Sequence, residues 1–292
     1  MRILLTGITG YLGSHLANAL LNAGYEVVGL KRQSSSLQRI ESILPNVMLY
    51  DLDDTNLTIP LKQIGKIDGV IHTATCYGRK GEEDYEIFSA NLIFPFNLLN
   101  AAINIDAKFF INTDTALAKF LNPYALSKCQ FAEWGRYFAQ QRKVRFLNLK
   151  LEHFYGPNDD KSKFTAHVIN SCLENVPELK LTLGEQQRDF IYIDDVVSAY
   201  MLLLEKKALI SDNFIEYEVG SGSSITIRQF AETVHRLTAS KTHLNLGALP
   251  YRTDEVMRSE ASIDGLKALG WNCQYSFESG LKQVIELERK QL

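Results

Sequence analysis

The chain has 292 residues, 46% of them hydrophobic and 22% charged, with a formal net charge of −3. That length supplies the interior of one large domain or two intimate ones, and the balance is that of an ordinary globular protein rather than a disordered or membrane-embedded one. A negative net charge argues against nucleic acid as a partner, since counterion release needs a surplus of cations, but it allows small anionic ligands held by local positive charge.

The opening MRILLTGITG has an apolar burst too short for a signal peptide, and it runs into a glycine turn. No apolar run reads as long enough to span a bilayer, so no membrane partner is expected. Cys76, Cys129, Cys172 and Cys273 are scattered without metal-ligand spacing. They read as reduced thiols of a cytoplasmic protein, with no metal site.

Short apolar runs at 2–5, 26–30, 47–50, 69–72, 108–112 and 144–149 read as strands. Most are continuously apolar, as strands buried on both faces of a parallel sheet are. Between them, helical patterns cover 11–23, 84–102 and 123–141. This βαβα order predicts an α/β fold with a doubly wound Rossmann parallel sheet. After about Glu152 the pattern changes to shorter elements punctuated by YGPNDD, GEQQRDF and GSGSS. A smaller lobe is expected to begin there, with the chain returning to the sheet near 190–195 and 214–219. Thr226-Ile-Arg-Gln229 has capping-box spacing and should open a helix, and Ser276 should cap the last one.

Thr6-Gly7-Ile8-Thr9-Gly10-Tyr11-Leu12-Gly13 joins the first strand to the first helix. Gly7 permits the tight turn, Gly10 lets the backbone approach a pyrophosphate, and Gly13 lets helix and strand pack closely. The helix N-terminus, with Thr9, Tyr11 and Leu12 around it, supplies amide hydrogens and a favourable dipole. The same glycines can serve a ligand-free turn, but the strand–turn–helix placement points to a dinucleotide.

The second strand ends in Lys31-Arg32-Gln33-Ser34, where a carboxylate would accept from a free ribose 2′-OH. Cations there suit a 2′-phosphate, so NADP(H) is preferred over NAD(H). A solvated basic loop is the plain alternative. Asp51, followed by Leu52, is placed either to accept from the adenine amine or to cap a helix.

Tyr124 and Lys128, four apart, share one helix face, and Thr113 closes the preceding strand. An ammonium near a phenol lowers its pKa, and such a phenol can exchange a proton with a carbinol oxygen as hydride moves. Lys128 can also hold the nicotinamide ribose. The plain alternative is a surface Tyr–Lys pair.

TGITGYLG, DLDD, VIHTAT, NLIFPFNLLNAA, YALSK, YGP, GEQQRDFIYIDDV, VGSG and the late LGW together resemble the extended short-chain dehydrogenase/reductases that act on nucleotide-sugars. The resemblance spans essentially the whole chain. It implies a dinucleotide-binding Rossmann domain over 1–152 plus returning segments at about 188–220, and a smaller C-terminal α/β substrate-binding domain over 153–187 and 221–292. It implies a homodimer through a four-helix bundle built on 91–102 and 124–141. It implies that Thr73, Ala74 and Thr75 line the nicotinamide side and that Asn91 steadies the cofactor domain. On the substrate side it implies Arg188 and Arg252 at the diphosphate and 180–183, Leu181 among them, beside the base, with Arg79, Thr115 and His153 completing the set. By its charge alone, Arg188 could instead pair with Asp189 or Asp194. The chain departs from the family pattern in two places: Lys150-Leu-Glu-His153 replaces an Arg-x-x-Asn, and Ala116-Leu117-Ala118 replaces Val-Tyr-Gly.

Thr113-Asp114-Thr115 discriminates among reactions. The 4,6-dehydratases of the family carry Thr-Asp-Glu there, and abstraction of a proton alpha to a ketone needs that base. Thr115 breaks the pair, which counts against a dehydratase and leaves Asp114 to bind a sugar hydroxyl or relay protons. INTDT, LKLEHFYGPNDDKSKF and RDFIYIDDVVSAY are also similar to the group of CDP-abequose and CDP-paratose synthases. The expected activity is NADPH-dependent reduction of the 4-keto group of a CDP-, dTDP- or UDP-linked deoxyhexose for surface polysaccharide. An NAD-dependent 4-epimerase is the alternative, and a non-catalytic dinucleotide sensor is disfavoured by the complete Thr113/Tyr124/Lys128 set.

Overall fold

The computed structural model describes residues 1–52, 64–206 and 212–290; the second half of the DLDD stretch lies outside them. The chain divides into two compact units, Met1–Lys150 with Tyr200–Tyr217, and Leu151–Ala199 with Glu218–Leu292. In chain order the described strands are β1 (Arg2–Thr6), β2 (Glu26–Lys31), β3 (Val47–Asp51), β4 (Gly69–His72), β5 (Phe109–Thr115), β6 (Arg145–Leu151), β7 (His153–Tyr155), β8 (Glu178–Leu181), β9 (Gln187–Tyr192), β10 (Phe214–Val219), β11 (Ser224–Thr226) and β12 (His243–Leu246).

The large sheet has the order β10-β6-β5-β4-β1-β2-β3. The pairs β1–β2, β2–β3, β1–β4 and β4–β5 are parallel. The order reverses at β1, the switch point where a doubly wound sheet opens a crevice beyond its carboxyl ends. Ile3, Leu4, Leu5, Val28, Val70 and Phe110 are fully buried, as expected when helices cover both faces. Helices run Tyr11–Asn22, Asp84–Asn104 and Pro123–Gln140, close to the periodicity limits.

Two boundaries differ in ways that matter. Strand β5 continues to Thr115 rather than ending at residue 112, which puts the Thr-Asp-Thr triplet inside the sheet. The helix Asp84–Asn104 contains a π-turn at Ser89–Ile93. That helix also corrects the expectation that no apolar run could span a bilayer, because its 21 residues meet the length and hydropathy criterion. Its Leu98, Leu99 and Ala102 belong to the core of the first unit, while Phe88 and Ile93 are exposed.

In the second unit, β11-β9-β7 form one small sheet and β12-β8 another. The segment near 190–195 was expected to return to the large sheet. Instead β9 pairs in parallel with β7 and antiparallel with β11, and Ile193 starts the helix Ile193–Lys206. A continuous apolar run signals burial on both faces but not which strands flank it. Thr226 and Gln229 form the capping box of Ile227–Thr238, and Ser276 caps Phe277–Arg289. Tyr155, Phe190, Phe230 and Phe277 form the aromatic centre of this unit. Buried Asp189 accepts from the Ser221 amide at 2.7 Å, the Gly222 amide at 3.0 Å and the Ala261 amide at 3.2 Å, so it ties down the GSGSS turn.

Candidate active site

The glycine turn is tight because nothing larger fits it. Gly7 has φ +70°, and a Cβ there would lie 2.7 Å from the Ala74 amide nitrogen and 2.7 Å from Thr73 Oγ1. A Cβ on Gly13 would lie 2.0 Å from the Gly7 carbonyl oxygen. The Gly10 amide donates to the Gly7 oxygen at 2.8 Å, and Gly10 stands at the N-terminus of Tyr11–Asn22. The side chains of Tyr11 and Leu12 are buried, so around this cradle they can offer a ligand only their backbone amides. Thr9 is half-buried. The turn fits a pyrophosphate by the chemistry of its donors. Thr73 Oγ1 donates to the Thr6 carbonyl at 2.8 Å, which fastens the Thr73–Ala74 step to the end of β1. His72 is fully buried among Phe94, Phe110 and Phe131, and burial, followed by the Lys128 charge, pulls its pKa well below the ordinary value. It therefore serves as a neutral core group.

At the ends of β2 and β3, Lys31 and Asp51 are register partners and form a close ion pair. That modifies two expectations together. The Lys31 charge is matched by Asp51 before any ligand arrives, and the Asp51 carboxylate is engaged by an ammonium. Arg32 is exposed, and Leu52 packs against the core.

The helix Pro123–Gln140 starts where it does because the Asn122 side chain accepts from the Ala125 amide at 2.8 Å and Pro123 follows at the first helical position. Its first turns carry Tyr124 and Lys128, 9% and 2% exposed. Burial pushes the Lys128 ammonium down to about 8, while the Asp114 charge works against that shift. The Tyr124 phenol was expected to be lowered by Lys128. Instead it is raised well above its ordinary value, first by burial and then by Tyr77 and Asp114; a hydrogen bond with Thr115 and the Arg79 charge oppose the rise only in part. Desolvation of the phenolate outweighs the nearby cations.

Strand alternation divides the Thr-Asp-Thr triplet. Asn112 and Asp114 share a face: Asn112 Nδ2 donates to Asn148 Oδ1 at 2.7 Å, and Asn148 Nδ2 donates to Asp114 Oδ2 at 2.8 Å and to Glu216 Oε2 at 2.9 Å. Lys150 pairs with Glu216 at 2.7 Å. The other Asp114 oxygen accepts from the Thr115 amide at 2.8 Å. Asp114 is thus a buried counter-charge to Lys128 with both oxygens bonded, not a group presented to a sugar hydroxyl. Thr113 lies on the opposite face, where its Oγ1 is 2.7 Å from the Tyr200 hydroxyl.

Asn91, on the π-turn, is fully buried. Its Oδ1 accepts from Thr75 Oγ1 at 3.0 Å and the Cys76 amide at 2.8 Å, while its Nδ2 donates to the Cys76 carbonyl at 2.8 Å and Ser127 Oγ at 3.2 Å. One side chain therefore fixes both the loop after β4 and the tyrosine helix. Tyr77, on that loop, packs on Tyr124 with ring centroids 5.0 Å apart, and exposed Arg79 lies over Tyr77 at 4.9 Å.

The remaining expected residues lie in the second unit. Arg188 Nη1 donates to the Gln187 and Val256 carbonyls at 2.8 and 2.6 Å, and Nη2 forms a close ion pair with Glu255. Its acidic partner is therefore Glu255, not Asp189 or Asp194. Arg252, on the same loop, is exposed. His153 Nδ1 is 3.2 Å from Glu152 Oε2, and Ser259 Oγ donates to Glu152 Oε1 at 2.6 Å. The Leu181 side chain is buried, and its carbonyl accepts from the Gly247 and Leu249 amides at 3.1 and 3.0 Å. Leu183, two residues on, is exposed.

Sequence reading missed Asn148, Tyr77 and Tyr200. An asparagine inside the apolar run RFLNLKL was a usable signal for the first, since a buried amide demands partners. Nothing local marks the other two.

A family model, the NAD dependent epimerase/dehydratase family, matches residues 3–220. The chain is 33% identical to CDP-abequose synthase of Salmonella typhimurium, over 97% of each chain. The crystal structure of UDP-glucose 4-epimerase with UDP-glucose from Thermotoga maritima superposes with a TM-score of 0.88 at 25% identity, covering 100% of this chain and 99% of that one. The Thermus thermophilus UDP-glucose 4-epimerase complex with NAD gives 0.87 at 23%, with 100% of both chains covered. With the cofactor turn at the switch point and the buried Tyr124–Lys128 pair, these matches establish that the chain belongs to the NAD-dependent epimerase/dehydratase family of extended short-chain dehydrogenase/reductases.

Proposed function

We propose that the protein is an NADPH-dependent 4-ketoreductase of a nucleotide-activated deoxyhexose, serving surface polysaccharide synthesis in the manner of CDP-abequose synthase. The observation that carries this reading is the place of Thr115, which ends β5 directly after Asp114. That position holds a hydroxyl, so no carboxylate stands there to remove a proton alpha to a ketone. Asp114 cannot substitute, because Asn148 and the Thr115 amide hold its oxygens.

When bound, the reduced nicotinamide supplies hydride to the C4 carbonyl carbon. Tyr124 gives its O–H proton to the carbonyl oxygen as it becomes a hydroxyl, and the phenolate regains a proton from solvent. Its raised pKa suits this direction, since the phenol enters the reaction protonated. Thr113 hydrogen-bonds the same oxygen. Lys128 holds the nicotinamide ribose, with Asp114 compensating its charge. Arg32 takes the 2′-phosphate, and His153, Arg188 and Arg252 take the nucleotide diphosphate side. The outward rows Phe88, Ile93, Trp134 and Tyr137 on the helices Asp84–Asn104 and Pro123–Gln140 suit a homodimer.

A second reading, an NAD-dependent 4-epimerase, is favoured by the Lys31–Asp51 pair, which removes one cation from the 2′-phosphate argument. Incubation with CDP-linked 4-keto-deoxysugar and NADPH or NADH separates the two. Stoichiometric loss of NADPH absorbance supports the reductase. Co-purified NAD⁺ with sugar isomerisation and no net cofactor consumption supports the epimerase and removes the first reading.

A further inference from the structure

Beside the triplet, the Tyr200 hydroxyl lies 2.7 Å from Thr113 Oγ1. Tyr200 is fully buried on the helix Ile193–Lys206. Its phenol has one proton and, among the described residues, one hydroxyl partner, Thr113. If Thr113 donated to Tyr200, the phenol proton would be buried without an acceptor, which costs the full desolvation of that group. The arrangement with every proton placed has Tyr200 donating. Thr113, only half-buried, then keeps its own proton for a group outside the pair.

We propose that Tyr200 is a positioning residue that donates to Thr113 Oγ1 and so fixes the Thr113 hydroxyl as a donor toward the substrate oxygen. Burial also raises the Tyr200 pKa, which keeps the phenol protonated and able to donate. The inference rests on the reading that Thr113 touches the substrate oxygen. It predicts that Tyr200 matters to turnover without touching substrate.

Kinetic and spectroscopic arms test it. Tyr200→Phe, which keeps the ring and removes the hydroxyl, should lower kcat roughly tenfold with KM within about twofold and the melting temperature little changed. In a Thr113→Val background the same substitution should cause no further loss, whereas in a Thr113→Ser background the loss should persist. An unchanged kcat in Tyr200→Phe, or an equal loss in the Thr113→Val background, overturns the proposal. The second arm needs no turnover. In protein labelled with ¹³C-tyrosine and free of ligand, Thr113→Val should shift the Tyr200 ring resonance, assigned through Tyr200→Phe, and an unmoved resonance rejects the contact. A wild-type protein inactive on keto-sugars would defeat the reductase reading alone, and the labelled protein would still decide the pairing.

Discussion

The carboxyl end of β5 and the surroundings of Arg188 on β9 hold their polar groups in opposite ways. At β5, Thr113, Asp114 and Thr115 are set by strand alternation, and Tyr124 and Lys128 are sunk into the same unit by a capped helix. Every partner of Asp114 is a neighbour that a ligand would not need to displace. In the second unit, Arg188 on β9 is occupied by Glu255 and by the Gln187 and Val256 carbonyls, while Arg252 lies open. On the proposed function, the reaction would use groups already in place, whereas diphosphate recognition by Arg188 would first release it from Glu255. Preorganised donors cost nothing at the moment of reaction, while a pair that must break weakens binding by its own strength.

The sharpest way to break this contrast is Tyr124→Phe. It should lower kcat by roughly 10²- to 10⁴-fold with NADPH affinity preserved, as checked by steady-state kinetics and fluorescence titration. A near-normal rate would show that the preformed end is not the reacting end. Asp114→Asn comes next. Asp114 opposes the fall in the Lys128 pKa to about 8, so the alkaline limb of the kcat profile should begin near that value in the wild type and move to lower pH in the variant. The same group gives a stability signature. The folded state releases the Lys128 proton at about 8 while the unfolded chain keeps it to its ordinary 10.5, so stability should rise with pH across that window. Lys128→Met should erase the rise in denaturation series taken along pH.

Arg32→Ala tests whether one cation without an ion-pair partner among the described residues is enough for the 2′-phosphate. It should cut the preference for NADPH over NADH by about tenfold, read as the ratio of kcat/KM values. The smallest effect is expected from Glu255→Gln, which frees Arg188. It should lower the KM for the nucleotide-sugar by about threefold, a fraction of what an exposed pair contributes at most. A raised KM would mean that Glu255 holds Arg188 in its working position, and the contrast between the two regions would disappear.

The large sheet was legible from sequence because its strands are locally unambiguous, and the glycine turn identified the cofactor end. Tyr124, Lys128 and Thr113 were legible as a spacing. Their electrostatics were not, because the phenol pKa depends on how deeply the helix start is buried, which spacing does not encode. The expectation that Asp114 binds a sugar hydroxyl or relays protons met a strand that continues to Thr115, on which Thr113 and Asp114 face apart. The Tyr200 contact spans 87 positions and the Arg188–Glu255 contact 67, and no local pattern forecasts a pair at such range.

The π-turn at Ser89–Ile93 acts as a phase shifter. The extra residue in that turn rotates everything after it by about 100° relative to an unbroken α-helix. The capped start at Glu83 and the apolar stripe through Leu98 and Ala102 therefore obey different phases, and Asn91 sits at the junction between them. Deleting one residue within 89–93 would heal the helix into a single phase while leaving its composition nearly intact. It would also turn either the amide or the stripe away from its target. Tolerance to length change in this helix should accordingly be lower than its smooth hydropathy suggests.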